Sequence, residues 1–144
     1  MSDMPASLHF KFDVQGGDFT KAGEASSRVK KILQQINANS EIIRRVAIAS
    51  YEAEMNVVIH AYKGSITLEA NPRKIMVLVE DEGPGIEDIE QAMVPGFSTA
   101  PDSIREMGFG AGMGLANMKN CSNNLDITTQ KGVGTKISMV FENG

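Results

Sequence analysis

Two β-rich runs, SITLEAN (65–71) and KIMVLVED (74–81), are joined through Asn71-Pro72-Arg73 alone. So short a link makes a hairpin, because a parallel pair needs a crossover of a dozen residues or more. The end of the chain repeats the pattern, with LDITTQ (125–130), a Lys131-Gly132-Val133-Gly134 turn and TKISMVFE (135–142). A further run, LHFKFDV (8–14), alternates apolar and polar residues as a half-buried strand does.

Helical periodicity fills the gaps between these strands. After the QGGDF break, Asp18 or Thr20 is expected to cap a helix running to about Asn37, with Ala25, Val29, Ile32, Leu33 and Ile36 on its apolar side. Ser40 is the expected N-cap of the next helix, and Glu41 suits its dipole. That helix should run about six turns to Tyr62, facing Ile42, Val46, Ala49, Ala53 and Val57 to the core, until Lys63-Gly64 stops it. Short helices are expected over 87–93 and 114–122. The stretch 94–107 has Pro95, Gly96 and Pro101, little periodicity, and a length that in a compact domain usually signals function. Strands and helices do not alternate, so a doubly wound parallel sheet is excluded. The expected class is α/β in the α+β sense: a two-layer sandwich with a mixed, mostly antiparallel sheet and helices on one face.

At 144 residues there is room for one domain, 1–144. The formal charge of −4 leans against a nucleic-acid partner, and no apolar run approaches the roughly 18 residues of a membrane span. The start MSDMPASLHF lacks the form of a secretory signal, and the lone Cys121 permits neither an internal disulfide nor a C-x-x-C metal site. A cytoplasmic location is the expectation.

Four local patterns carry chemistry. In EAEMNVVIH (52–60), Glu52 and Asn56 are four apart and share one helix face, inside an otherwise apolar neighbourhood. A carboxylate there can take a proton, and an amide oxygen one turn away is a hard ligand for Mg²⁺. Asp81-Glu82-Gly83-Pro84-Gly85-Ile86 follows a strand directly, so its glycines admit a ligand close to the backbone and Asp81 can accept from an exocyclic amine such as adenine's. In Gly108-Phe109-Gly110-Ala111-Gly112-Met113-Gly114, glycine recurs at every second position ahead of a helix, which makes either an anion cradle or a hinge. Gly132-Val133-Gly134-Thr135 on its own reads as a hairpin turn. His60 has no cluster of ligands around it and reads as structural.

E-x-x-x-N on a helix, then D-x-G-x-G, then a loop closing in G-x-G-x-G, then G-T before the last strand: this order resembles the GHKL superfamily, whose domains have the Bergerat ATP-binding fold. The likeness covers roughly 40–144. Within the superfamily, YEAEMNVVIHAY and DEGPGI look most like the small serine kinases of bacterial anti-sigma regulation, and GFSTA (96–100) looks like the switch kinases of stress-signalling complexes. The resemblance implies ATP and Mg²⁺ as cofactors, with Asn56 coordinating the metal and Glu52 as general base toward a substrate serine. It implies that Asp81 binds the adenine amine with support from Thr135, that Gly83 and Gly85 shape the adenine pocket, and that Gly110, Gly112 and Gly114 wrap the phosphates. Residues 94–109 would be the ATP lid, and charge logic assigns its only cation, Arg105, to the γ-phosphate.

The function so implied is an ATP-dependent protein-serine kinase and anti-sigma-type regulator that phosphorylates a small STAS-like antagonist. The alternative is a non-catalytic module in which ATP gates the sequestration of a sigma factor or another regulator. The partners expected are a sigma factor or an antagonist protein, with no nucleic acid and no membrane. The resemblance also implies a homodimer, although no surface in the sequence marks it.

Overall fold

A computed structural model of the chain describes residues 7–86, 88–94 and 114–142. The elements run β1 (Leu8–Gln15), α1 (Glu24–Gln35), α2 (Ser40–His60), β2 (Lys63–Ala70), β3 (Lys74–Glu82), α3 (Ile89–Ala92), α4 (Gly114–Cys121), β4 (Asn124–Gln130) and β5 (Gly134–Glu142). One five-stranded sheet forms in the order β1-β2-β3-β5-β4. All four pairings are antiparallel, so the parallel component of the expected mixed sheet is missing among the described strands.

Both hairpins close as their turn residues require. Between β2 and β3 the Asn71 side chain accepts from the N–H of Arg73 at 2.8 Å and of Lys74 at 2.9 Å, so it stands in for a backbone acceptor. The register then places Ile66 against Val79 and Leu68 against Val77, and across the next pair Val77 against Met139 and Val79 against Ile137. All of these are buried, so one face of the sheet forms the floor of the core.

Helix α2 lies over that floor, with α1 and α4 both packed against it. The expected stripe Ile42, Val46, Ala49, Ala53 and Val57 is buried along its full length. Ile43, Ser50, Glu54, Met55 and Val58 are buried as well, because a helix with neighbours on both flanks hides more than one face.

Helix boundaries moved for identifiable reasons. Asn39 rather than Ser40 caps α2, accepting from Glu41 N–H at 2.9 Å and Ile42 N–H at 3.4 Å. The helix ends at His60, not Tyr62, since Ala61 is already extended. Lys63-Gly64, expected to stop the helix, instead opens β2. Helix α1 begins at Glu24, and neither Asp18 nor Thr20 caps it: Thr20 donates its hydroxyl to Asp18 at 2.6 Å. Its N-cap, Gly23, has φ of 97° and brings no side chain. The orphan amides are satisfied from α2: Glu54 accepts from Gly23 N–H at 2.9 Å, Ala25 N–H at 3.2 Å and Ser26 N–H at 2.9 Å. No helix among the described residues is long and apolar enough to cross a membrane.

Candidate functional site

Glu52 and Asn56 stand half-buried on the flank of α2 that meets α4. The first residue of α4 lies beside them. A Cβ placed on Gly114 would lie 3.4 Å from both Asn56 Oδ1 and Glu52 Oε2, so a bare backbone passes directly against the polar pair. Three residues on, the Asn117 amide donates to Glu52 Oε1 at 3.2 Å and fixes that carboxylate. Leu115, Ala116 and Met118 bury the inner side of α4. At its far end Arg45 of α2 donates to the Cys121 carbonyl at 3.4 Å and to Asn123 Oδ1 at 3.3 Å. The helix is therefore tied to α2 at both ends, with its N-terminal amides beginning beside Glu52 and Asn56.

The second cluster forms where β3 ends. Thr135 donates its backbone N–H to Asp81 Oδ1 at 3.0 Å, and among the described residues this is the carboxylate's one hydrogen bond. Burial pushes the Asp81 carboxyl above the ordinary aspartate range, and the Thr135 amide partly opposes that shift. Thr135 is itself buried, and its hydroxyl shares a hydrogen bond with Thr129 at 3.1 Å. Thr129 in turn accepts from Ile86 N–H at 2.8 Å. Gly83 N–H donates to Val133 at 3.0 Å, and Gly132 N–H donates to Pro84 at 2.9 Å. These bonds stitch the D-x-G-x-G loop onto the last hairpin, so the turn at 132–134 is more than a connection.

Gly85 shows why the loop needs glycine. Its φ is 81°, and a Cβ there would stand 2.9 Å from both Thr129 Oγ1 and the Gln130 carbonyl. Thr129 and Asn117 were missed in the sequence. Thr129 was open to inference, because it sits directly across from Thr135 in the hairpin register.

Glu52, Asn56 and Gly114 are thus brought together, as are Asp81, Gly83, Gly85 and Thr135. Arg105, Gly110 and Gly112 lie outside the described residues, as does the expected lid apart from Val94.

Comparison with known proteins identifies the family. Residues 18–141 match the histidine kinase-like ATPase domain. The chain is 36% identical to the anti-sigma F factor of Clostridium acetobutylicum over 116 residues, covering 77% of this chain and 78% of that protein. It is 37% identical to the anti-sigma F factor of Thermoanaerobacter pseudethanolicus over 120 residues, 80% of each chain. Among solved structures, a chain of the SiaB–SiaC complex of Pseudomonas aeruginosa superposes with a TM-score of 0.58 at 12% identity, over 95% of this chain and 91% of that one. The structure of RsbU and RsbW domains from Mycobacterium tuberculosis gives 0.59 at 17%, over 95% of this chain and 32% of that one, which is a likeness of fold. The chain belongs to the histidine kinase-like ATPase domain family, with anti-sigma F factors among its relatives.

Proposed function

We propose that this chain is an ATP-dependent protein-serine kinase that regulates a small STAS-like antagonist of the anti-sigma type. The observation that carries the reading is the meeting of Glu52, Asn56 and Gly114, with Glu52 held by Asn117. A helix N-terminus favours phosphate oxygens, and a neutral amide oxygen beside it suits a divalent ion. The described residues include no group of three His, Cys, Asp or Glu side chains able to hold a metal. That fits Mg²⁺, which characteristically keeps water and phosphate oxygens as most of its ligands. When bound, the ion would neutralise phosphate charge.

In this reading Asn56 holds the metal, and Gly114 with Gly110 and Gly112 wraps the phosphates. Asp81 accepts from the adenine amine, Thr135 steadies Asp81, and Gly83 and Gly85 keep the pocket open. Arg105 offsets charge at the γ-phosphate. Glu52 accepts the proton of a substrate serine as its oxygen bonds to the γ-phosphorus and the bond to the leaving ADP breaks. A chain incubated with γ-labelled ATP and STAS-like domains encoded beside its gene should label one of them on serine. Normal nucleotide binding with no labelled partner would count against the kinase.

The relatives' name, anti-sigma F factor, speaks of sigma-factor inhibition rather than transfer, and it favours one second reading. There ATP only gates the sequestration of a sigma factor, and Glu52 orients nothing that reacts.

Both readings need Asp81 ionised, which gives a pH test. Its raised folded-state pKa means that the carboxylate takes up a proton at a higher pH than an ordinary aspartate. For the free protein, this group's contribution to stability is present below the unfolded pKa and lost as pH rises through the folded one. Nucleotide binding runs the other way, because the protonated acid loses an acceptor for the adenine amine. Calorimetric affinity for Mg-ATP is expected to fall on acidification, starting above the usual aspartate range. Asp81→Asn keeps an oxygen for the Thr135 amide, and it should bind about 10- to 100-fold more weakly, without that pH dependence.

A further inference from the structure

The two carboxylate oxygens of Glu52 lie in different surroundings. Oε1 accepts from the Asn117 amide at 3.2 Å. Oε2 lies 3.4 Å from where a Cβ on Gly114 would stand, level with Asn56 Oδ1. An ionised carboxylate only accepts, so the NH₂ end of Asn117 is the end that faces it. A glutamate reaches its carboxylate through several rotatable bonds, and the last of them turns between broad minima. Glu52 is half-buried, so packing alone leaves that last bond some freedom. Asn117 is shorter and stands on a helix whose inner side is buried at Leu115, Ala116 and Met118, which makes it the stiffer partner. It also sits one turn after Gly114, so the amides proposed to meet the phosphates and the donor that turns Glu52 belong to one rigid element.

We propose, resting on the kinase reading, that Asn117 is a positioning residue: it holds Oε1 as an anchor and presents Oε2 as the oxygen that takes the serine proton. In the transfer the serine Oγ–H bond breaks and an Oε2–H bond forms. The serine oxygen bonds to the γ-phosphorus, and the electron pair of the broken bridging bond leaves with ADP. Asn117 touches neither serine nor nucleotide and acts through Glu52 alone. A base already in line needs no reorientation when the serine arrives, so the benefit falls on the transfer step and not on binding.

Two variants of the full chain test this role, with the STAS-like domains encoded beside its gene as acceptors. Asn117→Leu keeps the approximate size of the side chain and removes its donor, whereas Asn117→Ala removes both. Each should slow single-turnover transfer at saturating Mg-ATP by about 10- to 30-fold. Calorimetric affinity for Mg-ATP, and the acceptor concentration giving half-maximal transfer, should stay within about twofold, which also shows that the variants fold. Combined with Glu52→Ala, either change should cost nothing further, because the group through which Asn117 acts is already gone. A side chain that mattered only for packing would leave the leucine variant near the unaltered chain and impair the alanine variant alone. That pattern, a matching fall in Mg-ATP affinity, or a full additional loss on top of Glu52→Ala would each overturn the proposal and leave the kinase reading in place. So would transfer at the original rate by both variants. An unaltered chain that labels no acceptor would instead remove the kinase reading, and the role of Asn117 with it.

Discussion

Glu54→Ala is expected to destabilise the fold by about 3–5 kcal/mol, seen as a lower urea midpoint and a drop of about 10–20 °C in Tm. The side chain is 2% exposed and accepts from three backbone amides at the start of α1. Removing it leaves those donors without acceptors in a buried place, where each costs about 1–3 kcal/mol, and it opens a cavity besides. Glu54→Gln should recover only part of the loss. Oε2 serves Gly23 and Ala25 while Oε1 serves Ser26, and an amide NH₂ replacing either oxygen would face donors. Glu52→Ala is the control, because its half-buried carboxylate accepts from Asn117 alone among the described residues and should shift stability by less than about 1.5 kcal/mol. Equal midpoints for Glu54→Ala and the unaltered chain would mean that α1 finds its acceptors elsewhere.

Glu54 also marks where reading the sequence stops. It stands two residues from Glu52, and the chain offers no local sign that one carboxylate turns to α1 and the other to α4. That division depends on where two other helices dock, which is tertiary information. The same holds for the start of α1, where Asp18 and Thr20 look like caps but satisfy each other. What was legible rested on short-range periodicity: the stripe of α2, the alternation of β1 and the two hairpins with their turn residues. Sequence order showed that β4 and β5 pair, yet it did not show that β5 rather than β4 joins β3. That choice is settled by long-range contacts such as Ile75 against Phe141. For the site, spacing put Glu52 beside Asn56 and the order of motifs led to Gly114. Asn117 escaped because it acts through one hydrogen bond across the fold, and the bond from Ile86 to Thr129 likewise joins segments far apart in sequence, although the pairing of Thr129 with Thr135 was within reach of the hairpin register.

Glu52→Ala should abolish phosphoryl transfer to a partner serine by a factor of about 10²–10⁴ while leaving Mg-ATP affinity within a few-fold. The two effects separate because the roles do. Nucleotide is proposed to be held by Asn56, Asp81 and the amides at the head of α4; only α4 touches the Glu52 carboxylate, through Asn117, and the buried Leu115, Ala116 and Met118 and the Arg45 hydrogen bonds hold that helix without it. Proton transfer from the serine has no other acceptor beside Gly114 among the described residues, since Asn56 is an amide. Single-turnover labelling of the partner measures the first quantity, and calorimetry measures the second. If the variant binds nucleotide and still transfers at the original rate, Glu52 is not the base. If the unaltered chain transfers nothing while ATP tightens its hold on a sigma factor, and the variant does the same, the gated-binding reading is correct. A loss of nucleotide affinity in the variant as large as the loss of transfer would mean that Glu52 builds the binding site, and the division of labour along that flank of α2 would have to be redrawn.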